Sequence, residues 1–128
     1  MIEMSRIFVL LSGLSFLFIS AMTNIEKGSA SYYSNAMNGH KTSSGEVFQN
    51  SGFTAAHKTL PLGSYVRVTN LKNDSTVVLK VNDQLSKSSS HIIDVTLEAA
   101  KKLNFVRNGI ATVSVEPVPK PNEEIKQR

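Results

Sequence analysis

The chain contains no cysteine. That excludes disulfides, thiolate nucleophiles and thiolate metal sites at once. It also excludes a lipid-modified cysteine after a signal sequence, so a lipoprotein anchor is not expected. Histidine is scarce, with three in 128 residues and no dense spacing of His with carboxylates. Neither a metal site nor a cofactor is therefore expected. Long apolar runs are missing too. The longest, Ile7 to Ala21, falls short of the roughly 20 residues a membrane-spanning helix needs. It suits the core of a signal peptide, with Arg6 before it and a serviceable cleavage site at Ile19 and Ala21. Residues 1–21 are read as a signal peptide, with an uncleaved anchor as the alternative. Either way the remainder is exported to the periplasm or cell envelope.

Charge of one sign is only mildly in excess, at +4. Removing residues 1–21 takes away one base, Arg6, and one acid, Glu3, and leaves that balance unchanged. A modest positive charge outside the cytoplasm suits an anionic polymer, and it suits plain solubility equally well. No basic patch interleaved with aromatics is present, so nucleic acid is not an expected partner. Hydrophobic residues at 41% and charged residues at 19% describe a globular chain long enough for one domain with a core.

Residues 22–28 read as a linker, and 29–34, SASYYS, as a first strand. Residues 35–52 are rich in Asn, Ser and Gly and form a long loop, a common place for function. Residues 64–70 alternate, with Val66 and Val68 on one face. Residues 76–82 alternate again, with Val77, Leu79 and Val81 together. Two such runs around the polar turn 72–75 predict a β-hairpin. HIID, 91–94, is a short strand. Residues 96–104 form a helix with Thr96 as N-cap, Glu98 in the first turn and Lys101 and Lys102 near the end. Its apolar stripe is Leu97, Ala100 and Leu103. Residues 109–118 form a last strand. The domain spans 29–117, and the Pro-rich, charged tail 118–128 is expected to be disordered. Five or six short strands with one or two short helices point to a mainly β fold, a small closed barrel.

Four ionisable residues occupy places where strands meet loops. Glu46 lies in the long loop, beside Gly45. His57 follows Ala55 and Ala56. Asp83 stands at a strand end, and Asp94 precedes a helix. Each has a bland reading: Asp83 as turn chemistry after Asn82, His57 as a satisfied core histidine, Glu46 as a solvated charge, and Asp94 as a helix cap. Nothing resembles a serine nucleophile elbow.

Six stretches are more specific: GSASYYS (28–34), GHKTSSGEVF (39–48), FTAAHKTLPLGSYVRVTNL (53–71), VVLKVND (77–83), IIDVTLEAAKKL (92–103) and GIATVSVE (109–116). Together they closely resemble the rare lipoprotein A (RlpA) family of septal-ring lytic transglycosylases. The resemblance implies a six-stranded double-psi β-barrel, shared in outline with expansins. It implies peptidoglycan glycan strands as substrate, and a monomer is expected. The Asp of VND, Asp83, would be the catalytic acid/base. The His of AAHKTLP, His57, would support it, and the Glu of SGE, Glu46, would complete the site. Tyr33, Lys58 and Thr59, in the same stretches, are expected to bind substrate.

Lytic transglycosylases form a 1,6-anhydro product by using the sugar's own 6-hydroxyl as nucleophile, so a single acid/base group can suffice, unlike the carboxyl pair of a hydrolase. Asp83 should then start protonated, with burial raising its pKa and His57 hydrogen-bonding it or the substrate. Where the family continues ND with RGPF, this chain reads NDQLSKSSSH. Gln84 stands for the Arg, so Asp83 lacks a neighbouring cation and a stiff loop. The family's C-terminal SPOR peptidoglycan-binding domain has no counterpart in these residues, so septal targeting by it is not expected. Two readings follow. One is a carbon–oxygen lyase that cleaves the MurNAc–GlcNAc bond. The other is a non-catalytic, expansin-like domain that binds the wall.

Overall fold

The computed structural model describes residues 24–122. The signal-peptide reading of 1–21 lies outside them. Six strands close into one barrel: β1 (Glu26–Tyr32), β2 (Thr54–His57), β3 (Tyr65–Asn70), β4 (Thr76–Gln84), β5 (Ile93–Val95) and β6 (Ala111–Val118). Around the barrel the order is β1-β5-β2-β4-β3-β6. Two neighbour pairs are parallel, β1 with β5 and β2 with β4, and the rest are antiparallel. Parallel neighbours need long crossover connections. Here each parallel pair is separated in sequence by at least one whole strand, which makes the crossover.

The alternating runs make the β3–β4 hairpin as expected, with Val66 opposite Leu79 and Val68 opposite Val77. Their inward residues, with Val81, Ile93, Val95, Val113 and Val115, form a fully enclosed core. Burying each such side chain stabilises the fold by roughly 1.5–3 kcal/mol. The α-helix α1 (Leu97–Lys102) closes against it through Ala99 and Ala100. Thr96 is its N-cap, with Oγ1 accepting from Ala99 N–H at 3.3 Å.

Three boundaries differ from the sequence reading. β1 starts at Glu26, where Glu26 to Ala30 pair with β6. Glu26–Gly28 thus belong to the barrel, not to a linker. Gly28 is needed there, since a Cβ would come 2.6 Å from Ile92 Cγ2. Thr54–His57, too short and too alanine-rich to announce itself, is a strand held on both edges. β6 ends at Val118 as read, where Val118 pairs with Tyr65, but it begins at Ala111 and not at Gly109.

Candidate active site

β4 carries one residue more than β2 at their shared edge. Ala55 pairs with Val81, but Ala56 pairs with Asp83. Asn82 is the extra residue of this β-bulge. Val81 and Ala55 point into the core. In an unbroken ladder Asp83 would follow Val81 to the inner face, because side chains alternate with a period of two. The bulge re-aims it outward. Across the other edge of β2, Ala56 pairs with Asp94, and Asp94 pairs in turn with Ser31 of β1. Four strands therefore present one transverse row on the outer face: Ser31, Asp94, Ala56, Asp83. Neighbouring strands lie about 4.8 Å apart, so the two aspartates start about 10 Å apart on either side of Ala56, which is itself buried; the Tyr33 phenol, bonded to Asp83, also feels the charge of Asp94.

Asp83 is half-buried and heavily hydrogen-bonded. Its Oδ2 accepts from Tyr33 Oη at 2.6 Å. Its Oδ1 accepts from Ser43 N–H at 2.9 Å, Ser43 Oγ at 2.8 Å and Gln84 N–H at 3.0 Å. Ser43 is delivered by a tight turn: Thr42 N–H donates to Glu46 O, Gly45 N–H donates to Thr42 O, and Gly45 takes a φ of 85° that favours glycine. Burial is the largest influence on the Asp83 carboxyl and pushes its pKa up. The donors from Tyr33, Ser43 and Gln84 together outweigh it and hold the group below the ordinary carboxylate range. The expectation of a raised pKa is therefore overturned for the free protein: at rest Asp83 is ionised.

Asp94 is not a helix cap; Thr96 takes that role. The Asp94 carboxylate instead accepts from the Ser31 hydroxyl. Sequence reasoning missed it because IIDVT offers cap chemistry at two positions. The available signal was alternation: Ile93 and Val95 face in, so Asp94 faces out.

Glu46 sits beside Asp83 along β4 without bonding to it. Its Oε1 lies 2.6 Å from Lys80 Nζ and its Oε2 accepts from Asn82 Nδ2 at 3.4 Å. The hydrogen bond from Lys80 holds the Glu46 carboxyl below its ordinary range, and Glu46 raises Lys80 in return.

His57 is buried and directed elsewhere. Its Nδ1 accepts from the N–H groups of Thr59 and Leu60, both at 3.1 Å. That leaves the ring proton on Nε2, which lies 3.4 Å from Glu26 Oε1. His57 reaches Asp83 only through backbone: it pairs with Gln84, and its carbonyl accepts from Leu85 N–H at 3.0 Å. Asp83 takes no hydrogen bond from it. Lys58 Nζ donates to Ser89 O at 2.6 Å and so ties down the loop after β4. Thr59 lines a small cavity with Glu26, His57 and Leu60. Of the three residues expected to bind substrate, only Tyr33 touches Asp83.

A family model described as lytic transglycolase, of the double-psi β-barrel type, matches residues 25–115. Among curated proteins, the endolytic peptidoglycan transglycosylase RlpA of Neisseria meningitidis serogroup A is 50% identical over 93 residues, covering 73% of this chain and 39% of that protein. RlpA of Pseudomonas aeruginosa is 48% identical over 91 residues, covering 71% of this chain and 27% of that one. The chain thus spans well under half the length of these relatives. Among solved structures, an expansin of Clavibacter michiganensis in complex with cellohexaose aligns with a TM-score of 0.61 at 22% identity, covering 76% of this chain and 52% of that one. A Streptomyces papain inhibitor aligns at 0.62 and 20% identity, covering 77% and 97%. These two share the fold. By the match over 25–115, the chain belongs to the lytic transglycolase family of RlpA-type double-psi β-barrels.

Proposed function

We propose that this domain is an endolytic lytic transglycosylase of peptidoglycan. It would cleave the MurNAc–GlcNAc bond of glycan strands and leave 1,6-anhydro-MurNAc ends. The observation that carries this reading is the outer row in which Asp83 and Asp94 flank the small side chain of Ala56. The names of the relatives supply the substrate and, with it, a place in the cell envelope.

Asp83 is the acid/base group. A glycan bound against Asp83 strips the remaining water from a carboxyl on which burial is already the largest influence, and so favours its protonated form. The proton passes to the glycosidic oxygen as the C1–O bond breaks. Positive charge develops at C1 and the ring oxygen, and the Asp94 carboxylate stabilises it. The 6-hydroxyl oxygen then bonds to C1 and surrenders its proton to Asp83. Protons balance, and no water is consumed. Glu46, through Lys80 and Asn82, holds the turn that carries Ser43. His57 supports the end of β2 beside Gln84.

The non-catalytic reading keeps one specific support: four donors hold Asp83 ionised, and the loop after it departs from RGPF. One experiment separates the two. The mature protein is incubated with stem-peptide-free glycan strands, and products are read by mass spectrometry. New 1,6-anhydro ends, absent with Asp83→Asn, support the lyase. Binding to insoluble peptidoglycan with no such ends supports the wall-binding domain.

A further inference from the structure

The two oxygens of Asp83 are not equivalent. Three donors crowd Oδ1: Ser43 N–H, Ser43 Oγ and Gln84 N–H. One donor, Tyr33 Oη, meets Oδ2. Each carboxylate oxygen offers about two lone pairs. The vacant position is therefore on Oδ2, and a proton arriving at Asp83 binds there, beside the phenol.

Tyr33 is built to stay in place. Its N–H donates to Val95 O at 3.0 Å, which anchors it where β1 leaves β5. Its ring stacks on Phe48, with centroids 4.4 Å apart and planes at 29°. Phe48 is itself enclosed, and its N–H donates to His40 O at 2.7 Å. Burial first, then the hydrogen bond to Asp83, then the charges of Asp83 and Asp94, hold the phenol well above the ordinary tyrosine range. The phenol remains a donor throughout the range in which a carboxyl titrates. Its only proton is committed to Oδ2, so a substrate oxygen would have to break that bond to receive it.

We propose that Asp83 exchanges its proton with the glycan through Oδ2, and that Tyr33 is the positioning residue that controls this oxygen, not a contact for the sugar. This rests on Asp83 being the acid/base group of the proposed reaction.

The test uses full-length chain with carboxyl-13C aspartate, titrated by NMR without glycan. Tyr33→Phe keeps the ring on Phe48 and removes the donor. The Asp83 midpoint is expected to rise, by more than in Ser43→Ala, and the limb of the kcat/KM pH profile governed by Asp83 is expected to move up with it. Phe48→Leu loosens the stack with the phenol intact and should move the midpoint the same way. Binding of denuded glycan, measured in an Asp83→Asn background, should not change on adding Tyr33→Phe. A lost sugar contact would weaken it roughly five- to tenfold. An unmoved midpoint in Tyr33→Phe, or weakened binding with an unmoved midpoint, overturns the proposal. A raised midpoint in a protein that yields no 1,6-anhydro ends sinks the lyase reading and leaves the Tyr33–Asp83 assignment standing.

Discussion

Ala56 faces Asp83, and not Asn82, across the β2–β4 edge, because β4 holds one extra residue there. On its other edge Ala56 faces Asp94. One small, buried side chain thus stands between two carboxylates. A longer residue at buried position 56 would displace whatever packs on it, and a β4 without the bulge would turn Asp83 inward.

In the proposed reaction Asp94 is the carboxylate that stabilises the charge developing at C1. Asp94→Asn removes the charge and keeps an oxygen for the Ser31 hydroxyl, so the fold should stay intact. The yield of 1,6-anhydro ends should fall by about 10²- to 10⁴-fold, the range typical of a lost catalytic carboxyl, with the melting temperature nearly unchanged. Activity within a fewfold of the parent would exclude Asp94 from the reaction.

Asp83 also links stability to pH. Its folded pKa lies below its unfolded value, as does that of Glu46. Such a group stabilises the fold above the unfolded carboxylate pKa, near 4, and that contribution is lost as pH falls through the lower folded value. Ser43→Ala deletes one donor to the ionised form and should cost roughly 1–2 kcal/mol at pH 7. The gap in melting temperature between parent and variant should close as pH drops below about 4. A gap that persists in acid would mean Ser43 acts through the turn, not through the carboxylate.

Much of this is legible in the sequence. Alternation in residues 64–70 and 76–82 carried the hairpin, and Thr96 carried the helix start. The motif residues Asp83 and Glu46 did fall on neighbouring parts of β4 and its covering loop. What stayed hidden depends on pairing between distant strands. Nothing local in VND reveals that Asn82 is a bulge, and the outward turn of Asp83 follows from that alone. Asp94 and Ser31 lie 63 residues apart and meet only because β1 and β5 are parallel neighbours. His57 was legible as important but not as to why: the sequence could not say which atoms its ring nitrogens would meet.

Glu46 separates stability from function in another way. Its pair with Lys80 is exposed on both sides, at 43% and 36%. Exposed pairs contribute about 0–1 kcal/mol, so Glu46→Gln should barely move the melting temperature. The amide can still accept from Asn82, but the turn bearing Ser43 loses its tie to Lys80. A displacement of about 1 Å at a reacting group costs up to about 100-fold in rate. Activity should therefore fall far more than stability, and high salt should mimic part of the loss in the parent. Equal activity in parent and variant would reduce Glu46 to a solvated charge.

His57 should behave in the opposite manner. Its Nδ1 satisfies two backbone donors, Thr59 N–H and Leu60 N–H. His57→Ala leaves both without that acceptor. Thr59 is exposed, so water recovers part of the loss, and a net cost of about 2 kcal/mol is expected. For a domain of this size that lowers the melting temperature by about 10 °C. Activity should fall only as the folded fraction falls, and the Asp83 titration should not move. His57→Asn refines the test, because an asparagine oxygen can accept from the N–H two residues on. It should restore part of the stability and, with it, the activity. A His57→Asn protein that is stable yet inactive would instead show that the imidazole itself meets the substrate.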